Sequence, residues 1–486
     1  MDPSPHKDKY KHKTDSVDKI KERRGQEVVS LRKEKRDKIV SSKRCRFDAS
    51  HKAGGDHGFT EDVVVELTKK LQHSDPDRLK DLKTLRQACA QGTQYIDAFF
   101  KVENSLQCIV GFLTGSDVEL QQEAAWCLTN VSAGSSEHAM AVAKMAAPYL
   151  ITFLSSNNHS LQDQCAWALG NLAGDSPDCR NLLHDQGIVA PLVKLLQSPC
   201  SSVAQSSAFA LSNITRESPE ITRELVEAGI IQMIPPFLHN RQENRGTLAE
   251  VAWILTYLTT TGEHVPALIE KSILAAVVEL LVKLATEDPV DVQTVTPLLR
   301  CLGNICSGPE EYSLKAVDNP RLLHTLGVYL DSSVNYVVKE TLWVFSNMAG
   351  EPTIATSIAY GPLLESITNK LTGGHDIKHE ALYVLNNMAC HGQEACDYLL
   401  EHHVLQSVIP ILKSHDVELL NLALGFCEMI LRLTEAGYNI FEKFEGVARL
   451  EGLEYHSNST ISTKAHELLD TYFLIDKEHE ESPHTG

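Results

Sequence analysis

An all-α solenoid is what the sequence predicts, on three observations. Apolar residues recur at i, i+3, i+4 and i+7, with no sustained two-residue alternation, the mark of amphipathic helices. One short phrase returns at intervals of 40 to 47 residues. The 486 residues far exceed what a single core needs, so the chain is several domains or one repetitive array. A unit of that length cannot bury its apolar face alone. Stacked units share a continuous core and curve into a superhelix with a long concave surface.

The phrase reads "EAAWCLTN" ending at Asn130, "QCAWALGN" at Asn171, "SSAFALSN" at Asn213 and "EVAWILTY" at Tyr257. It continues as "LLRCLGN" at Asn304, "ETLWVFSN" at Asn347 and "EALYVLNN" at Asn387. A weaker copy, "LALGFCEMI", ends 43 residues further on at Ile430, and "LKTLRQACAQG" from Leu82 precedes the first anchor by about one period. Such a period belongs to armadillo or HEAT repeats of two or three helices. Between anchors, "GIVAPLVKLLQS" from Gly187, "GIIQMIPPFLHN" from Gly229 and "HVLQSVIPILKS" from His403 read as amphipathic helices, the first two opened by glycine turns. "ILAAVVELLVKLA" from Ile273 is short and broken by Glu279 and Lys283, so it reads as a core helix.

Composition narrows the class. Apolar residues make up 43% of the chain, normal for a folded soluble protein. No run of about 18 uncharged apolar residues offers a membrane span, and "MDPSPHKDKYKHK" has no apolar core of a signal peptide. The twelve cysteines are scattered without a C-x-x-C pair, and Cys127, Cys165 and Cys427 fall inside apolar helical patterns, as small buried hydrophobes do. Both features predict a reducing cytosolic or nuclear compartment. The sequons at Asn130 and Asn213 are then idle. Charge is uneven: residues 1–52 hold 17 Lys/Arg against 9 Asp/Glu, a net of +8, and the rest holds 28 against 55, a net of −27. An acidic body repels a phosphate backbone, so nucleic acid is not an expected partner and a basic one is.

The anchors have two readings. In the structural one, tryptophans fill the core and asparagines bond between neighbours. In the functional one, asparagine recurs at one register in six of seven clear copies, although it is a poor helix former and seldom buried. A solvent-facing ladder of carboxamides can donate to and accept from the backbone of an extended peptide. Tryptophans between repeats then take the stems of Lys or Arg, with roughly 0.5–2 kcal/mol of cation–π attraction per contact. Glu123, Glu340 and Glu380, each three residues before an anchor aromatic, and Asp175, four after Asn171, would receive the charged ends.

Residues 19–46, "KIKERRGQEVVSLRKEKRDKIVSSKRCR", permit a helix from residue 27 to 40 followed by the cluster Lys43, Arg44, Cys45, Arg46. The bland alternative is a solvated basic tail. The cluster resembles the ligand expected in the groove, and the polar, glycine-rich linker of residues 48–58 allows it to occupy the groove in cis.

The chain resembles the importin alpha (karyopherin alpha) family. "RRGQEVVSLRKEKRD" resembles that family's importin-beta-binding segment, "EAAWCLTNVSAG", "CAWALGNLAGD", "LLRCLGN" and "ETLWVFSNMAG" resemble its repeats, and "EGVARLEGLEYHSNSTISTKAHELLDTYF" its end. "YLITFLSSNNHSLQDQCAWALGNL" and "GIVAPLVKLLQSP" further resemble one divergent branch, named for a transmembrane and coiled-coil domain-containing protein 6. The resemblance implies an all-α, right-handed superhelical armadillo solenoid over residues 59–475, with about nine to ten repeats. A basic importin-beta-binding-like segment and linker (1–58) precede it and an acidic tail (476–486) follows. It implies a major peptide site at Trp126, Asn130, Gly134, Gln164, Trp167, Asn171, Asp175, Phe209 and Asn213. The implied minor site is Asn304, Trp343, Asn347, Glu380, Tyr383 and Asn387. Importin beta would bind Arg23, Arg24, Arg32, Lys33, Lys35 and Arg36, and Lys43, Arg44 and Arg46 would be autoinhibitory. Asp175 matches the family's receiver of the key cargo lysine. Phe209 and Tyr383 stand where the family has tryptophans, and Ala139 where it has a threonine beside that lysine.

The expected function is a nuclear import adaptor shuttling between cytoplasm and nucleus, with importin beta and basic nuclear localisation signals as partners. An armadillo scaffold that has lost or altered cargo import is the alternative. An enzyme is not expected: His375, His379 and Glu380 superficially suggest a metal site but read as surface histidines, no P-loop, H-E-x-x-H or G-x-S-x-G motif occurs, and no cofactor is called for.

Overall fold

The computed structural model describes residues 44–46, 59–73, 75–238 and 245–473. Every regular element among them is helical. They fall into two compact units, the first ending at Ala276 and the second beginning at Val277. Each unit is an array of armadillo repeats. In the first, the helices carrying the repeated phrase are α1 (Arg78–Gln91), α2 (Val118–Ser132), α3 (His159–Asp175), α4 (Ser201–Ile214) and α5 (Arg245–Leu258). In the second they are α6 (Val292–Cys306), α7 (Asn335–Met348), α8 (His375–Ala389), α9 (Val417–Leu433) and α10 (Ser459–Tyr472). Within each unit successive members of the series pack on one another, the last ones, α5 and α10, on the member before. Shorter helices fill the intervals, such as Pro177–Asp185 and Val189–Leu195 between α3 and α4. Between α2 and α3 a single 18-residue helix, Ser136–Phe153, replaces the pair.

The helix starts are written in side chains. Asp117 accepts from the backbone N–H groups of Glu119 and Leu120 at the head of α2, and Asn158 from those of Ser160 and Leu161 at α3. Asp291, Asp416 and Asn458 do the same for α6, α9 and α10. Each such cap contributes about 1 kcal/mol. Ser176 and Ser218 cap the following helices, whose first residues, Pro177 and Pro219, have no N–H to leave unpaired.

The turn into the middle helix is left-handed at Gly187 and Gly229, and equally at Ser272, His403 and Glu445, which have no glycine to ease it. The helix after Gly229 is shorter than the sequence pattern suggests. It covers only Ile230–Met233 and passes into a 3-10 turn at Pro235–Phe237, because two consecutive prolines remove the N–H groups an α-helix needs. His403 is followed in the same way by Val404–Val408 and the 3-10 turn Ile409–Lys413, with Pro410 inside. Ile273–Leu284 is helical, with Ile273, Leu274, Val277, Leu280 and Leu281 buried. Cys127, Cys165 and Cys427 are fully buried, and the twelve cysteines are free thiols.

Candidate functional site

Five of the six asparagines at the repeated register are buried and do not face solvent, which corrects one expectation. Asn130, Asn171, Asn213, Asn347 and Asn387 are all buried. Each spends its amide N–H on the preceding repeat. Asn171 Nδ2 donates to the Thr129 carbonyl at 3.0 Å, Asn213 Nδ2 to Gly170 at 2.9 Å and Asn347 Nδ2 to Gly303 at 2.9 Å. Asn387 reaches Ser346 and Asn130 reaches Arg86 in the same fashion. Where Ile430 replaces asparagine, Asn386 turns forward instead and donates to the Leu422 carbonyl at 3.2 Å. The ladder is therefore a set of staples between successive helices, and the carboxamide oxygen is the end left over.

That oxygen faces a ligand supplied by the chain itself. Arg44, Cys45 and Arg46 lie extended across α2 and α3. The backbone N–H of Arg46 donates to Asn130 Oδ1 at 2.9 Å and that of Arg44 to Asn171 Oδ1 at 3.0 Å. The two carbonyls are held as well. Trp126 Nε1 donates to the Arg46 carbonyl at 3.3 Å, and Trp167 Nε1 and Asn171 Nδ2 donate to that of Arg44 at 2.7 and 3.3 Å. Every one of these bonds is to backbone, so each is indifferent to ligand side chains. The indole N–H groups are a part of the clamp that sequence reasoning missed. Asn213 Oδ1, next along the ladder, is buried with no hydrogen-bond partner among the described residues.

Side chains add selectivity. The Arg46 guanidinium lies 4.2 Å from the Trp167 ring centroid and forks onto Asp163, at 2.6 Å through Nη1 and 2.9 Å through Nη2. Arg44 lies 4.9 Å from the Phe209 centroid and meets Glu250 at 2.9 Å. Trp167 and Phe209 sit 5.0 Å apart, tilted by 37°. Asp163 and Glu250 escaped sequence analysis, although Glu250 stands three residues before Trp253, the register that singled out Glu123.

Two of the expected acidic receivers are already engaged. Glu123 pairs with Arg86 at 2.8 Å, and Arg86 also covers the Trp126 ring at 3.8 Å. The Trp126 face thus holds a side chain of the preceding repeat rather than a ligand stem. Glu340 pairs with Arg300 at 2.5 Å, both nearly fully buried. Burial works against charge on Arg300, and the Glu340 carboxylate more than offsets it, so its pKa is raised. Asp175, half-buried at the end of α3, accepts from Ser136 Oγ at 3.1 Å. Gln164 is buried under Thr129, whose hydroxyl donates to the Gln164 carbonyl at 3.1 Å. Gly134 is half-buried beside His138, and Ala139 is fully buried.

In the second unit Trp343 and Tyr383 are both buried and pack together with Leu422. Glu380 is buried on α8, and Asn304 is half-buried near the end of α6. The Gly303 that precedes Asn304 is there for a reason: a Cβ at Gly303 would stand 2.3 Å from Trp343 Cδ1. At Gly170 it would stand 2.5 Å from Phe209 Cδ1. The glycine of the "LGN" phrase is the seat of the next repeat's aromatic ring. Arg23, Arg24, Arg32, Lys33, Lys35, Arg36 and Lys43 lie outside the described residues, as does the acidic tail from residue 476.

His379 is not a surface histidine. Its side chain is 12% exposed, 3.5 Å from Glu418 and edge-on to Tyr383. Burial lowers its pKa, against the pull of Glu418. His375 is exposed and bridges Asp376 and Asp416. Among the described residues no three His, Cys, Asp or Glu side chains are arranged to hold a metal ion, and no helix is long and apolar enough to cross a membrane.

A family model described as TMCO6 matches residues 64–473. Importin subunit alpha-2 of Oryza sativa subsp. japonica is 29% identical, over 93% of this chain and 92% of its own. Importin subunit alpha-5 of Arabidopsis thaliana is 30% identical, over 76% and 72%. Among solved structures, a crystal structure of an engineered protein superimposes with a TM-score of 0.75 at 26% identity, covering 84% of this chain and 98% of that one.

Proposed function

The chain belongs to the TMCO6 family as a divergent importin-alpha-like armadillo protein, and from that premise we propose that it is a nuclear import adaptor. Basic nuclear localisation signals bind its groove, importin beta binds residues 19–46, and the protein shuttles between cytoplasm and nucleus. Residues 1–58 form the regulatory head of residues 59–475. The reading involves no catalytic step. One observation carries it: the Asn130/Asn171 ladder grips a short basic segment through its backbone while acidic groups take its arginines. A groove that accepts Arg44 and Arg46 in cis accepts the same chemistry in trans, and the cis segment is the autoinhibitor. Importin beta, by engaging the head, vacates the groove for cargo.

The test uses a fluorescent lysine/arginine-rich signal peptide and the full chain carrying Arg44→Ala and Arg46→Ala. Binding that is lost on adding Trp167→Ala and Asn171→Ala supports the reading; no binding, or binding that ignores the groove changes, refutes it. Capture by importin beta should depend on Arg23, Arg24, Arg32, Lys33, Lys35 and Arg36.

Arg86 on the Trp126 face favours the second reading, a scaffold with altered cargo. Arg86→Ala should then leave import of a standard basic cargo in permeabilised cells absent, whereas an adaptor imports it with or without the change.

A further inference from the structure

The two arginine positions of the groove are built differently, and the difference is a specificity. The carboxylate under Arg46 is braced: the Ser206 hydroxyl donates to Asp163 Oδ1 and accepts from Arg46 Nη2 at 3.1 Å. Both carboxylate oxygens face the two terminal nitrogens, and the flat guanidinium lies over the Trp167 ring. The pocket is closed, with 18% of the arginine side chain and 12% of the Asp163 side chain exposed. Under Arg44 there is one ion pair to Glu250, whose other oxygen is taken by the Ser212 hydroxyl at 2.7 Å; the Phe209 centroid is 4.9 Å away, farther than Trp167 is from Arg46, and the arginine side chain is 43% exposed.

A planar, two-pronged donor that stacks on an aromatic face is a guanidinium and not an ammonium. Lysine in the Asp163 pocket would meet one carboxylate oxygen with a point charge, and would leave the second oxygen desolvated with a donor missing. At Glu250 one open ion pair beside a phenylalanine ring serves either cation.

Resting on the reading that this groove binds basic peptides, we infer that it selects the pattern Arg/Lys-x-Arg, with arginine required at the Asp163 pocket and either cation accepted at Glu250. Asp163, Ser206 and Trp167 are the specificity-determining residues.

Labelled peptides with the sequence of residues 40–48 provide the probe, with lysine in place of either arginine in turn. Their affinities are measured by fluorescence anisotropy against the full chain carrying Arg44→Ala and Arg46→Ala. Lysine at the Arg46 position should weaken binding by about 10-fold or more, the worth of one charge-assisted hydrogen bond. Lysine at the Arg44 position should change it by less than about 3-fold. Adding Asp163→Asn should remove the discrimination, and Ser206→Ala should reduce it in a chain whose melting temperature is kept. Equal loss at the two positions, or discrimination that survives Asp163→Asn, overturns the inference while the groove reading stands. No binding by the parent peptide overturns the groove reading and this inference with it.

Discussion

Gly170→Ala tests how the groove is assembled. The added Cβ would stand 2.5 and 2.7 Å from Phe209 Cδ1 and Cε1, well inside contact distance, and 3.2 Å from the Ala210 Cα. Phe209 is 2% exposed, so its ring cannot simply swing away. Overpacking of this kind costs about 1–3 kcal/mol, more than the ~0.8–1 kcal/mol that alanine gains over glycine within a helix. The variant should therefore be destabilised by up to about 2 kcal/mol in urea denaturation. In a Phe209→Ala background, itself about 3–5 kcal/mol less stable, the clash with the ring is gone. Gly170→Ala should then fall within about 1 kcal/mol of neutral. An equal cost in both backgrounds would refute the claim that the glycine seats the ring.

Other outcomes follow from the same geometry. Asn213→Ala removes the staple to the Gly170 carbonyl, which stays within the α3 helix, and should cost about 0.5–1.5 kcal/mol of stability, read by the same denaturation. Glu340→Gln leaves Arg300 buried without its counter-charge and should cost about 3–5 kcal/mol, with loss seen in the second unit by hydrogen exchange. Glu445→Gly relieves a left-handed residue at φ 64° and should stabilise by about 0.5–1 kcal/mol. His379 has a folded pKa below its unfolded value of about 6.5. The unfolded chain therefore binds the proton first, and stability is fully present above that pH and falls as pH drops through it. His379→Gln should flatten the fall in denaturation midpoint between about pH 7 and 5.

The repeated phrase was enough to find the repeat, its period and the helix that carries the anchors. Spacing shows which residues recur on one face. It does not show how the two ends of a carboxamide divide their work, and so staple and clamp stand as alternative readings of Asn171, which is both: a staple to Thr129 and a clamp on Arg44. The basic cluster of residues 43–46 and its linker pointed to Arg44 and Arg46, but Asp163 stayed hidden because it lies one residue before Gln164, off the register of the other acids. Glu123 and Glu340 looked free because their partners, Arg86 and Arg300, sit 37 and 40 residues upstream, a whole repeat away. His379 looked exposed because its burial comes from Tyr383 and the next repeat's Glu418.

On the proposed function, the chain's own basic segment competes with cargo for one groove. The most direct measurement of this is the affinity of a labelled basic signal peptide for the full chain, compared with the chain carrying Arg44→Ala and Arg46→Ala. A tethered competitor acts at up to millimolar effective concentration, so the variant should bind at least about 10-fold more tightly. Equal or weaker binding to the variant would contradict it.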